Sequence, residues 1–406
     1  MTTLLISLVL FTFLLNSALE ALNHRSSLKV PDPLVADLFD ESKRSKAISY
    51  SEAKNRLSLI SGVFNTLLMG LAIWFGWFAI LDSEISSRFN NSLMVSLIFI
   101  AVASLVYSIL QIPFSIWSKF VVEAKFGFNK TTVGTFIGDL FKSALVSIIL
   151  GGLLLTSIIW LYEKFESRFW IYGFLVFAAF STFMFMFGTK VVLPLFNKLK
   201  PLEDGDLKDQ IEKYCQSQGY SLKNLFVMDG SRRSTKANAF FSGLGKSKTI
   251  VLFDTLIEQM DNDEIVAVLA HEIGHYKLRH SLVMFIASNI QTLAILALFG
   301  WALNYPTLSR ALGADTGKFH LSAIAFFILL TPLSLLLGLL VNSISRKNEL
   351  AADVFSVNTY KKAPMASALK KLASNNLTNL SPHPLYVAFE YSHPPVYQRL
   401  RNILNF

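Results

Sequence analysis

The stretch His271-Glu272-Ile273-Gly274-His275 carries the residue types and spacing best suited to chemistry. On a helix, residues four apart share a face, so His271 and His275 can offer two imidazole nitrogens to one cation. Glu272 stands beside them, free to take a proton from a water at that cation. The bland alternative is an exposed helix that happens to carry two histidines and a glutamate. The setting argues against it. Asp261 followed by Glu264 predicts an N-terminal capping box. Ile265, Val266, Val268, Leu269 and Ile273 supply apolar faces. Lys277, Arg279 and His280 lie towards the C-terminal end, where a helix dipole favours cations. Gly274 costs roughly 1 kcal/mol against alanine inside a helix, which predicts a close neighbour at that backbone, a substrate or a facing helix.

A catalytic zinc takes three protein ligands and keeps a position for water. His280 is near in sequence, but an offset of five from His275 does not match the spacing of a third histidine ligand; it is expected at a helix end by the membrane surface. Glu349, within Ser345-Arg-Lys-Asn-Glu-Leu-Ala-Ala-Asp353, is the better candidate. Asp353 lies four residues on and shares its helical face. It can accept the second ring N–H of a ligand histidine. The competing reading is a solvated acidic pair near a helix end. Ser392-His393-Pro394-Pro395, with Arg399 six residues after the histidine, is the other polar cluster. A histidine beside two prolines is ordinarily a loop residue; next to a metal site it can donate to the oxyanion of a tetrahedral intermediate. His24 and His383 have no comparable context.

The elements that must position these residues belong to a membrane protein. Of 406 residues, 52% are hydrophobic and 16% charged, well below the roughly 25% charge of soluble domains. Apolar runs at Leu4 to Leu22, Leu59 to Leu81, Leu93 to Trp117, Leu140 to Leu161, Trp170 to Leu193, Leu282 to Leu303 and Leu321 to Ile344 predict seven spans. No Lys or Arg precedes Arg25, so the first run lacks the basic start of a signal peptide and is read as a span. Lys and Arg number seven in 23–58, three in 119–137, twelve in 194–281 and eight from 345 onward, against one in 82–92 and two each in 162–168 and 305–320. With seven spans the rich segments all fall on one side, which the positive-inside rule makes cytoplasmic. The net charge of +9 follows from those loops, and no nucleic-acid partner is expected. The one cysteine, Cys215, excludes an intrachain disulfide and a cysteine-ligated zinc; it is expected as a small filler on a soluble helix. Lys142 and Lys190 are expected to snorkel to the interface, and Asp139 to cap the fourth span.

Segment 194–281 reads as soluble. An amphipathic helix is expected over Asp204 to Gln218, with strands at Leu225 to Met228 and Thr249 to Phe253. Gly243 and Gly245 are turn signals that make a hairpin of Ala237 to Ser242 and Thr249 to Phe253. An edge strand there can align an extended peptide by backbone pairing. The chain divides accordingly: 1–193 with about five spans, 194–281 with the edge strand and the paired histidines, 282–344 with two spans, and 345–406 with Glu349 and His393.

The blocks Phe120 to Thr131, Leu193 to Lys208, Thr235 to Leu256, HEIGH at 271–275, RKNELAAD at 346–353 and SHPPVYQRL at 392–400 make the chain resemble the type I CAAX prenyl proteases, integral membrane zinc endopeptidases. The resemblance implies an α-helical membrane protein with seven tilted helices around a large chamber and a zinc protease domain at one end. It implies one zinc per chain on His271, His275 and Glu349, with Glu272 as general base. It further implies that Asn238, Ala239, Phe240 and His393 meet the substrate, that Arg399 supports the site through Glu349, and that Asp353 backs a ligand. The substrate it implies is a peptide or protein, in eukaryotic members a prenylated C-terminal CAAX peptide; a quality-control protease for misassembled membrane proteins is the runner-up. A seven-span receptor or transporter with a structural metal is the rival from another class. The bilayer is the one other partner expected, with the oligomeric state left open. The brief 305–320 loop and the tail ending at Phe406 leave the bacterial inner membrane open beside the endoplasmic reticulum membrane.

The alternating charge load gives a direct test. In a Cys215-free background, reporter cysteines near Asp315 and near Lys361 are expected to label from opposite faces of the membrane. Labelling of both from one face contradicts seven spans.

Overall fold

A computed structural model describes residues 1–219, 224–242 and 249–406. The membrane part begins with α1 (Thr2–Ser27), α2 (Glu41–Trp74), α3 (Trp77–Ser86) and α4 (Ser92–Ile116), which runs on as a π-helical turn through Glu123. It continues with α5 (Val133–Val146), joined by a second π turn to α6 (Gly152–Phe165), then α7 (Phe169–Val191) and the short α8 (Leu193–Phe196). The segment that follows holds β1 (Leu199–Pro201), α9 (Asp206–Ser217), β2 (Leu225–Met228), β3 (Ala239–Ser242), β4 (Thr249–Phe253), α10 (Asp254–Gln259) and α11 (Asn262–Lys277). Then follow α12 (His280–Ala302), α13 (Thr307–Arg310), α14 (Phe319–Leu329), α15 (Thr331–Thr359), α16 (Lys362–Asn375), α17 (Pro384–Glu390) and α18 (Val396–Asn405).

Six of these helical runs are long and apolar enough to cross a membrane, and α14 with α15 makes a seventh that bends by 56°. Pro332, in the first turn of α15, has no N–H to carry the ladder across that bend. The second span differs from the sequence expectation. Its helix starts far earlier, at Glu41, where Asp40 caps it, and it stops at Trp74. The chain turns at Gly76, whose φ of +67° suits glycine, so Leu59 to Leu81 is two helices and not one. In the six uninterrupted spans only 6–17% of each apolar window is buried. A tight bundle would bury one face of every helix. Helices this open have one face for lipid and another for an internal space, as a ring around a chamber requires.

The soluble part is built on a sheet in the order β1-β2-β4-β3, with β2 and β4 parallel and the outer pairs antiparallel. β2 and β4 occupy the residues expected from sequence. β1 was not foreseen; three residues containing a proline give little period-two signal. β3 pairs with β4 from Ala239↔Leu252 to Ser242↔Thr249 and lies at the edge. The turn signals at Gly243 and Gly245 lie outside the described residues. Ile250, Leu252 and Leu256 pack against Ile265, Leu269 and Ile273 of α11 and against Ile211 and Cys215 of α9. Cys215 is thus the buried filler expected of it.

Asp139 does not cap its helix. Thr132 does, accepting from the Thr135 N–H at 3.1 Å. Asp139 instead takes two hydrogen bonds from Arg233, Nε at 2.9 Å and Nη2 at 2.8 Å, and Arg233 also donates to the Phe196 carbonyl at 2.7 Å. Lys142 donates to the Leu195 carbonyl, while Lys190 is exposed at the end of α7. Backbone bonds from Lys130 N–H to the Arg233 carbonyl and from Thr235 N–H to the Phe128 carbonyl fasten the same turn. The lead-in to β3 is therefore tied to the membrane helices.

α11 and α15 cross closely. A Cβ added at Gly274 would stand 3.1 Å from Phe355 Cδ1 and 3.3 Å from the Ala352 Cα. The close neighbour implied by a glycine in mid-helix is this facing helix. Ser356 Oγ adds a 2.8 Å hydrogen bond to the Ala267 carbonyl across the same contact. Gly274→Leu is expected to lower stability by about 1–3 kcal/mol through overpacking, read as a fall in melting temperature of the purified protein. An unchanged melt would mean that the two helices are not held at this distance.

Candidate metal centre

α11 starts as the capping box predicts. Asp261 accepts from the Glu264 N–H at 2.9 Å, and Glu264 accepts from the Asp261 N–H at 3.0 Å. Glu264 is further fixed by Ser367 Oγ and Lys371 Nζ of α16, both at 2.6 Å. Its carboxyl is buried, which raises the pKa, but these donors outweigh burial and hold it below the usual carboxylate range. The anchoring is therefore present above the ordinary glutamate pKa and is lost as pH falls through the lowered folded value.

Three turns along α11, His271 and His275 project towards Glu349 of α15. The three residues offer ligand atoms that all lie within 4.8 Å of one another. His275 Nε2 is 3.2 Å from His271 Nε2 and 3.2 Å from Glu349 Oε1; His271 Nε2 is 3.4 Å from Glu349 Oε2. Behind this group, Asp353 Oδ1 stands 2.9 Å from His271 Nδ1. Arg399 of α18 donates to both oxygens of Asp353, at 2.8 and 2.5 Å, and comes only within 3.7 Å of Glu349. The support expected from Arg399 thus runs chiefly through Asp353.

His393 is brought to the same place, with Nδ1 2.8 Å from Glu349 Oε2 and its side chain 65% exposed, open to an incoming ligand. Glu272 is half-buried on α11 beside His271. Asn238 is exposed just before β3; its carbonyl accepts from the Phe253 N–H at 3.1 Å. Ala239 and Phe240 begin that edge strand, which packs beside α11. His280, dismissed as a ligand by its spacing, is the first residue of α12 and touches His275. Only a break in the helix between them brings it there, and the sequence shows no Gly or Pro at that break.

The residues fit a divalent cation. Glu349 Oε2 is buried, yet among the described residues no donor is aligned on it with hydrogen-bond geometry, His393 included. Two imidazole Nε2 atoms face each other and the carboxylate, an arrangement that a shared cation satisfies. Burial pushes the His271 imidazole down, but Asp353 and Glu349 outweigh it and hold its pKa up to about 9. The surroundings favour positive charge at this point.

Comparisons with known proteins give the family of the chain. Residues 20–198 match the family model described as CAAX prenyl protease N-terminal, five membrane helices, and residues 201–406 match peptidase family M48. The chain belongs to peptidase family M48. It is 38% identical to the CAAX prenyl protease 1 homolog of Arabidopsis thaliana, over 94% of this chain and 92% of that one. It is 35% identical to CAAX prenyl protease 1 of Saccharomyces cerevisiae, over 92% and 88%. The crystal structure of S. mikatae Ste24p superposes with a TM-score of 0.94 at 32% identity, covering 99% of this chain and 98% of that one. The protein is a multi-pass membrane metalloendopeptidase of the M48 family. That membership removes the receptor or transporter with a structural metal as a reading.

A ligand histidine depends on the group behind it. Asp353→Asn removes the carboxylate from His271 and takes from the buried Arg399 the partner that accepts its two hydrogen bonds. Metal affinity is expected to fall by about 10–100-fold, measured by competition with a chelator. Unchanged affinity would show that Asp353 does not orient the ligand.

Proposed function

We propose that this protein is a zinc endopeptidase that cleaves near the C-terminus of prenylated CAAX-type substrates. One observation carries the chemistry: ligand atoms of His271, His275 and Glu349 converge from two helices, with Glu272 beside them. Two histidines and a glutamate are a donor set of catalytic zinc. The names of the relatives in A. thaliana and S. cerevisiae support the substrate class. The Lys and Arg load supports a site facing the cytoplasm, and the eukaryotic sources of these relatives favour a eukaryotic membrane, for which we propose the endoplasmic reticulum, over a bacterial one. The chain divides functionally at 193/194, 281/282 and 344/345, the last of these inside the continuous helix α15.

When bound, zinc supplies a Lewis acid that polarises a carbonyl and makes water acidic enough to ionise near neutral pH. Glu272 takes the proton from the attacking water and passes it to the leaving amine. His393 donates to the carbonyl oxygen as that oxygen becomes an oxyanion, a contact stronger in the transition state than in the ground state. β3 offers its free edge to an extended peptide, and the exposed Asn238 anchors the peptide backbone near the scissile bond. Backbone pairing fixes direction while tolerating varied side chains, as a protease for many C-terminal sequences needs.

These roles have separate signatures. Glu272→Gln is expected to keep its metal and lose proteolysis, assayed on prenylated and unprenylated peptides; retained proteolysis would remove the general base. His393→Ala is expected to lower kcat by about 10²–10³ with metal content intact. A wild-type kcat in that variant would take His393 out of the oxyanion role.

A further inference from the structure

We propose that His280 is a positioning residue for the metal ligand His275, accepting the hydrogen bond of its Nδ1–H. The proposal rests on the metal-centre reading above. His275 turns Nε2 towards His271 and Glu349, at 3.2 Å from each. A neutral imidazole that offers Nε2 to a cation carries its proton on Nδ1, and that proton needs an acceptor. His280 Nδ1 lies 3.1 Å from His275 Nδ1. The two rings stand nearly perpendicular, at 74°, with centroids 5.1 Å apart, so they do not stack. His271 meets the same requirement through Asp353 at 2.9 Å. Each ligand histidine therefore has its own acceptor. One is a carboxylate backed by Arg399, and the other is an imidazole that keeps its own proton on Nε2 and brings no negative charge.

The backbone is bent to make this contact. At 3.6 residues per turn, a position five residues on points roughly 140° away from His275 on a continuous helix. α11 ends at Lys277, and Arg279 takes a left-handed conformation at φ +60° before α12 begins at His280. Left-handed geometry at a residue with a side chain is strained and persists where the surroundings enforce it. Leu278 N–H to the Gly274 carbonyl and Val283 N–H to the Arg279 carbonyl close the two helices on either side of this turn. The turn swings His280 back over the outer edge of His275.

The test uses the full chain, purified in detergent, with His280→Phe, His280→Ala and His280→Asn. Phe fills the space without an acceptor, Ala removes ring and acceptor together, and the Asn amide oxygen stands about where Nδ1 stood. Zinc affinity is read by chelator competition, and ligand geometry by the visible spectrum of the cobalt(II)-loaded protein. Phe and Ala are expected to weaken zinc binding by about 10–100-fold and to shift the cobalt bands, while Asn restores most of both. Wild-type zinc affinity and spectrum in Ala, or equal losses in Ala and Asn, would overturn the role given to His280. Wild-type protein that binds no zinc would overturn the metal centre itself, which is a different result.

Discussion

The site depends on one close approach, that of α11 to α15 at Gly274. The helices come near enough there that a side chain at Gly274 would meet Phe355 and the Ala352 backbone. That distance lets the Glu349 carboxylate reach between two histidines on the opposite helix, and it lets Asp353, one turn on, reach behind His271. The rest of the soluble part serves the same contact. α16 grips the start of α11 through Glu264, and α18 returns Arg399 to Asp353. α17 is tied back to α15 by Arg346, which donates to the Val387 and Tyr391 carbonyls.

Burial makes this arrangement demanding. Glu349 and Asp353 are both out of water, and a buried carboxylate is costly unless paired. Asp353 has its partner in Arg399. Among the described residues Glu349 has one oxygen without an aligned donor, and with two imidazoles nearby a cation would complete it. A metal that binds only the folded protein also stabilises that fold, so ligand geometry and stability are coupled here. The bent seventh span belongs to the same economy of design. α15 passes from the apolar run directly into Glu349 and Asp353, so one helix both crosses the membrane and brings a carboxylate to the metal centre and another behind His271.

Much of the fold was legible because its signals are local. Apolar runs of helical length mark the spans, the Asp261/Glu264 box marks the start of α11, and the four-residue spacings put His271 with His275 and Glu349 with Asp353. Membrane side and chemistry put Glu349 near the histidines, and α11 and α15 cross where the three residues stand. What was not legible depends on tertiary contact. Asp139 read as a cap because nothing near it in sequence announces Arg233, 94 residues away. His280 read as an ordinary helix end because the left-handed Arg279 carries no sequence mark. The second span is present but its bounds differ from the apolar run, because Gly76 breaks the helix inside that run.

Everything in the proposed chemistry requires α15 to supply the third ligand to a cation held by α11. Metal content of the purified full chain, wild type against Glu349→Ala, tests it most directly. One zinc per wild-type chain is expected, with a sharp loss of zinc in the variant and the fold otherwise retained. Full zinc occupancy in Glu349→Ala would contradict it and assign the third ligand elsewhere.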